Sequence, residues 1–278
     1  MKFVLKLTES LDKKNTSLCV GLDSRYDKIP QQFHERSIHQ SIFAFNKEII
    51  HVTHDLACAY KMNIAFYAGF GKEGLEGLRL TNNYLRTYYP EIPIFADCKR
   101  SEMGESVNMI KQEIFDWLGF DCVMVTPWFG FDTVRNYLDD EKHGVCIYVH
   151  DSNPTASEFQ DLELKNGTKV YEEVAKRVVK KWNINGNVTV EAGATYPLQL
   201  RQIRKIIGEE MPLLVAGIGP QGGTVESLKG LFGKNNNRLL VNSSRGIIFA
   251  GIGKKEYFQE VRNAATHLAE QLRAISKK

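Results

Sequence analysis

The stretch "IPIFADCKRSEMGESV", residues 92–107, begins as an apolar run and turns abruptly polar, placing Asp97, Lys99, Arg100 and Glu102 within six positions. A short apolar run without strict alternation reads as a strand buried on both faces. Behind the charged cluster, Val107, Ile110, Ile114 and Trp117 recur at helical spacing. The cluster therefore sits where a buried strand hands over to an amphipathic helix.

The same unit recurs along the chain. Further strand runs are "LCVGLD" (18–23), "AYKMNIAF" (59–66), "DCVMVT" (121–126), "GVCIYVH" (144–150), "NVTVEAG" (187–193), "PLLVAG" (212–217) and "RLLVNS" (238–243). With "IPIFAD" (92–97) they make eight. Helical patterns fill the intervals: Ile38, Ile42, Phe45, Ile49, Val52 and Leu56 mark one face, and Val261, Ala265, Leu268, Leu272 and Ile275 another. Eight strand–helix alternations predict an α/β fold, a (β/α)8 TIM barrel, although an open doubly wound sheet shares the alternation. No composition shift or Pro/Ser-rich linker divides the 278 residues, so one barrel domain over 1–278 is expected.

Composition narrows the function classes. The chain is 43% hydrophobic and 25% charged, ordinary globular values, and its net charge of +3 is spread along its length. The densest basic run, "KRVVKKW" (176–182), interleaves valines at helical spacing and reads as a solvated helix face, so no nucleic-acid partner is expected. Five cysteines (19, 58, 98, 122, 146), mostly inside apolar runs and without CxxC spacing, point to reduced thiols and a cytoplasmic address. The N-terminus "MKFVLKLTESLDKK" has no apolar core of a signal peptide, and no segment approaches the roughly 20 apolar residues of a membrane span, so no membrane partner is expected. The seven histidines are scattered, and His51 and His54 share a helix without a third ligand, so no metal is expected.

In a (β/α)8 barrel the groups that do chemistry sit at the C-terminal ends of strands. Asp23 ends the first strand, and Lys61 lies inside the second. Asp97 ends the third, followed by Lys99 and Glu102. Asp23 alone would serve equally well as a helix cap. A lysine in an apolar strand must snorkel or find an anion, and Asp97 and Lys99, two apart on an extended segment, would point the same way. Two lysines and several carboxylates at one barrel mouth form a costly array, more plausibly kept for chemistry than for stability. "AGIGPQGG" (216–223) offers backbone N–H groups to an anion at the start of an expected helix, and Arg245 in "SSRG" adds a guanidinium. The turns after strands seven and eight are the usual phosphate site of this architecture.

These residues resemble the orotidine 5′-phosphate decarboxylase family, in particular its longer bacterial branch. The resemblance runs through "LCVGLDS…IP" (18–30), "AYKMNIAFYAGFGKEGL" (59–75), "DCKRSEMG" (97–104) and "PWFGFD" (127–132). It continues in "DSNPTASEFQDL" (151–162), "GATYPLQLRQIR" (193–204), "AGIGPQGG" (216–223) and "SSRGIIFA" (243–250). It implies a cofactor-free barrel homodimer, with shared active sites, that takes orotidine 5′-phosphate to UMP in pyrimidine synthesis. By that match Lys99 is the general acid that protonates C6, kept charged despite burial by its acidic neighbours. Asp97 stands near the substrate carboxylate, and Lys61 orients Asp97 and bonds a ribose hydroxyl. Asp23 binds the ribose, and Ser152 reads the pyrimidine edge. Gln221 and Arg245, with backbone groups around Gly222 and Gly223, hold the phosphate. Position 102 of the signature reaches the neighbouring subunit's site, as does the residue matching Ser106.

The chain departs from the pattern at Glu102, where the signature has Asp, at Ser106 and Asp151, where Thr is usual, and at Glu105, an added acid. Two alternatives stay open: a paralogue that binds nucleotide without turnover, and a metal-dependent sugar-phosphate lyase of the same superfamily.

Overall fold

A computed structural model describes residues 1–219 and 222–276. Eight parallel strands close into a barrel in chain order. They are β1 (Leu18–Gly21), β2 (Ala59–Asn63), β3 (Ile94–Asp97), β4 (Cys122–Val125), β5 (Gly144–His150), β6 (Val188–Gly193), β7 (Leu213–Ala216) and β8 (Leu239–Ser243). The barrel shuts where β1 meets β8, with Leu18 opposite Val241 and Val20 opposite Ser243. All eight strands fall within the eight apolar runs of the sequence, and the closed order excludes the open doubly wound sheet.

Side chains alternate across each strand, so the two faces of the barrel carry different sets. The inner set is Cys19, Ala59, Phe95, Cys122, Met124, Cys146, Tyr148, Leu214 and Leu240, packed with Phe3, Leu7 and Leu11. These last three come from a helix at Phe3–Lys14 that the sequence reading did not assign. It stops the bottom of the barrel: Phe3 meets Phe95 edge-on at 5.6 Å between ring centroids. Gly144 is required there, because a Cβ would stand 2.2 Å from the Phe3 ring. With the bottom filled, the open end is the C-terminal one.

The outer set, among it Val20, Met62, Ile94, Val123, Ile147, Val190 and Val241, packs beneath the surrounding helices. Ile38–Thr53 buries Ile42, Phe45 and Ile49, and Tyr257–Ser276 buries Val261, Ala265, Leu268 and Leu272, as their spacing requires. The basic run at 176–182 is a solvated face, with Lys180 and Lys181 exposed while Val178 and Trp182 are buried.

Three expectations are corrected. The second strand stops at Asn63, whose side chain accepts from the Ala65 N–H and starts a short helix, Ile64–Ala68, so residues 64–66 are not strand. Trp117 was placed on the buried face of its helix but is about half exposed. The helix Glu105–Lys111 runs into a π-helical turn at Gln112–Trp117, whose wider winding rotates Trp117 outward and buries Leu118 instead. Among the described residues no α-helix starts behind the glycine-rich turn after β7; two 3-10 turns, Glu226–Leu228 and Lys234–Asn236, lie between it and β8.

Candidate active site

The C-terminal mouth holds a cavity of about 570 Å³ reached by side chains from most of the strands. Its floor carries the charge array. Lys61 on β2 and Asp97 at the end of β3 are 4% and 5% exposed, and Lys61 Nζ donates to Asp97 Oδ2 at 2.7 Å. Lys99 Nζ donates to Asp97 Oδ1 at 2.5 Å, and Tyr148 on β5 donates its hydroxyl to the same oxygen at 2.8 Å. The Lys99 nitrogen also stands 4.9 Å from the centre of the Tyr148 ring, within cation–π range. Asp97 thus accepts three hydrogen bonds, two of them charge-assisted.

The electrostatics follow from burial against pairing. Burial alone would neutralise Lys61, yet the carboxylates of Asp97 and Asp23 outweigh it and hold the amine well above its ordinary value. Burial likewise opposes the Asp97 charge, and Lys61 and Lys99 together hold its carboxyl well below the usual carboxylate range. Both groups are therefore ionised at neutral pH. This is the anion that the lysine in an apolar strand had to find.

Two details differ from the sequence reading. The segment after β3 is not extended: Lys99 takes a left-handed backbone with φ of +50°, and this turn carries its side chain back over Asp97. Such a conformation costs a non-glycine residue on the order of 1–3 kcal/mol and persists only where the surroundings impose it. Nor is Lys99 buried; its side chain is 47% exposed, and Lys61 is the dry lysine of the pair.

Glu102 lies outside the array. It is exposed, and its Oε2 accepts from the Ser106 hydroxyl at 3.2 Å, with Ser106 exposed as well. Met103 and Met109, in the same segment of the chain, are exposed as well. Asp23 lines the cavity above Lys61 and accepts the Asn63 N–H at 3.0 Å, which fixes its carboxylate at the mouth rather than on a helix cap.

Ser152 and Asp151 line the wall beyond β5. Gly193, at the end of β6, lets that wall come close: a Cβ there would lie 2.6 Å from Ser152 Cα and 2.8 Å from the Asp151 carbonyl oxygen. Thr195 Oγ1 then donates to the Ser152 carbonyl at 2.9 Å, and Gln160 holds Asp151 from the other side at 2.7 Å. On the opposite wall Arg245 reaches the cavity from the start of a short helix, Arg245–Ile248, behind β8. In the turn after β7, Gly217 and Ile218 line the cavity, while the N–H groups of Gly222 and Gly223 donate to the carbonyls of Gly219 and Gly217. Gly222 has a φ of +100°, open only to glycine without strain. Gln221 lies outside the described residues.

The sequence reading missed two floor residues, Tyr148 on β5 and Glu191 on β6. Both line the cavity, both are buried, and they face one another across the β5–β6 ladder. The signal that singled out Lys61, an ionisable residue inside an apolar strand, was equally present at Glu191 in "NVTVEAG".

Similarity to known proteins agrees with this geometry. Residues 16–259 match the model of the Orotidine 5'-phosphate decarboxylase / HUMPS family. The chain is 35% identical over 273 residues, 98% of each protein, to an orotidine 5'-phosphate decarboxylase of Cellvibrio japonicus. It is 41% identical over 248 residues, 88% of each, to one of Christiangramia forsetii. Among solved structures, that of Leishmania donovani OMP decarboxylase superposes with a TM-score of 0.84 at 28% identity, covering the whole of both chains. A closed eight-stranded barrel, a lysine–aspartate–lysine floor and relatedness over nearly its full length place the chain in the orotidine 5′-phosphate decarboxylase family.

Proposed function

We propose that this protein decarboxylates orotidine 5′-phosphate to UMP in pyrimidine synthesis, and that it does so with its own side chains and no cofactor. The observation that carries the reading is the Lys61–Asp97–Lys99 array on the cavity floor, with two ammonium groups on one buried carboxylate.

The chemistry asks for such an array. As the bond from C6 to the carboxylate breaks, its electron pair stays on a ring carbon that has no cofactor to receive it. A fixed ammonium beside that carbon stabilises the developing charge and then supplies the proton. Lys99 has that role: its N–H bond breaks, the C6–H bond forms, and CO2 leaves. Its partial exposure lets solvent return the proton before the next turnover. Asp97 holds the Lys99 nitrogen in place and sets a negative charge near the substrate carboxylate. Lys61 keeps Asp97 ionised and faces the ribose together with Asp23.

Ser152 meets the pyrimidine edge, while Arg245 and Gln221 take the phosphate; the N–H groups of Gly222 and Gly223, expected to join them, already donate to the Gly219 and Gly217 carbonyls. Binding energy from that distant phosphate positions the ring over Lys99. The working unit is a cytoplasmic homodimer, in which Glu102 and Ser106 approach the site of a second copy of the chain. Exposed Met103 and Met109 in the same segment support a contact face there.

Incubating purified protein with orotidine 5′-phosphate and following loss of its ultraviolet absorbance, with and without EDTA, tests the reading. Turnover indifferent to chelator is expected. UMP binding without turnover would mean a lapsed paralogue, and loss of activity on chelation would mean a metal-dependent lyase.

A further inference from the structure

Glu191 is the one carboxyl of the cavity floor that neither the charge array nor the proposed chemistry uses. It is 3% exposed, sits on β6 between Tyr148 of β5 and Leu214 of β7, and lines the cavity. Its Oε2 has no hydrogen-bond partner among the described residues. An orphaned buried carboxyl oxygen is costly, so stability does not explain the residue.

The protonation state follows from the surroundings. Burial raises the Glu191 carboxyl well above its ordinary range, Asp151 and Asp97 push it further, and Lys99 and Lys61 only partly oppose them. Burial and the two carboxylates thus favour the neutral acid form of Glu191, which has an O–H to donate and no charge to repel an anion. Its neutrality also decides the charge of the floor. Lys61 and Lys99 against Asp97 leave one positive charge, which an ionised Glu191 would cancel.

Building on the decarboxylase reading, we propose that Glu191 is a further substrate-contacting residue, donating its acid O–H to the C6 carboxylate of orotidine 5′-phosphate. A donor there favours the substrate over UMP, which lacks that carboxylate. It also holds the ground state more firmly than the transition state, because the carboxylate loses its charge as it becomes CO2. Glu191 thus serves affinity and discrimination rather than the chemical step.

The test is steady-state kinetics with orotidine 5′-phosphate, and inhibition by UMP, for the wild type, Glu191→Gln and Glu191→Leu. Gln keeps a neutral donor; Leu keeps the volume and removes every polar atom. Glu191→Leu is expected to raise KM about tenfold to a hundredfold, the range for a lost hydrogen bond to a charged group. Its kcat should stay equal or rise, its Ki for UMP should not change, and Glu191→Gln should behave as the wild type. An unchanged KM in Glu191→Leu would overturn the contact. A UMP Ki that weakens in step would place the contact on the ring instead, and a Gln variant as impaired as Leu would remove the donor role. Wild-type protein that turns over no substrate would overturn the decarboxylase reading and this inference with it, whereas turnover with an indifferent Glu191→Leu would overturn the inference alone.

Discussion

Lys61 Nζ lies 2.7 Å from Asp97 Oδ2, with both side chains withdrawn almost completely from solvent at the floor of the barrel mouth. Each is affordable only because the other is there. Removing one partner of a buried pair typically costs about 3–5 kcal/mol, since it strands the remaining charge. Asp97→Ala strands Lys61 and is expected to lose about that much stability along with all turnover. Lys61→Met leaves Asp97 with Lys99 and Tyr148, and is expected to lose less. Denaturant midpoints of the two variants check the order; equal losses would mean that Lys99 and Tyr148 do not hold Asp97.

The same carboxylate shapes the acid limb of stability. The folded Asp97 carboxyl is held below its ordinary value near 3.8, so its contribution is fully present above that value. It is lost as pH falls from there towards the folded value. Thermal midpoints between pH 5 and pH 2 are therefore expected to fall more steeply for the wild type than for Asp97→Asn, which cannot titrate. Parallel curves would contradict the pairing.

Glu191 acts in the opposite direction. Its folded carboxyl is raised, so the unfolded chain ionises it first, and stability drains as pH climbs above the ordinary glutamate range near 4.5. Glu191→Gln removes that drain. Its stability relative to the wild type should grow from pH 4 to pH 7, as read from denaturant midpoints; a constant difference would mean that Glu191 is ionised in the fold.

Gly193 sets the wall that carries Ser152. A methyl group placed 2.6 Å from Ser152 Cα must push the loop away, at an overpacking cost of about 1–3 kcal/mol. Gly193→Ala is expected to lower the melting temperature and raise KM for orotidine 5′-phosphate. A variant that melts lower with an unchanged KM would detach Ser152 from substrate recognition.

Much of this was written in the sequence, for physical reasons that can be named. Strands buried on both faces must be apolar throughout, so all eight were visible, and Lys61 and Asp97 stood out as charges where such strands hold none, whereas Asp23, expected to end the first strand, lies two residues past its end at Gly21. Side-chain direction was less legible. An extended reading pointed Lys99 correctly for the wrong reason, since the left-handed turn at that residue delivers it to Asp97. The π-helical turn that exposes Trp117 leaves no mark in a 3.6-residue pattern. The helix at Phe3–Lys14 went unassigned because its apolar face, Phe3, Leu7 and Leu11, plugs a barrel whose closure is a tertiary fact. The role expected of Glu102 is not legible in one chain, where it is exposed, does not line the cavity and bonds Ser106.

That placement makes Glu102 a test of assembly. If Glu102 approaches a second copy's site as proposed, shortening it to the aspartate of the family signature should leave turnover equal or higher. Specific activity of Glu102→Asp and the wild type at matched protein concentration reads the result. A large fall would mean that the neighbouring surface has been rebuilt around the longer side chain.

The central claim is that Lys99 delivers the proton to C6, and turnover of orotidine 5′-phosphate by Lys99→Ala, with UMP affinity measured in parallel, tests it most directly. General-acid catalysis is worth about 10²–10⁴-fold, so a loss of at least that size with UMP binding retained is the result predicted. Lys99→Ala turning over at the wild-type rate would contradict the account.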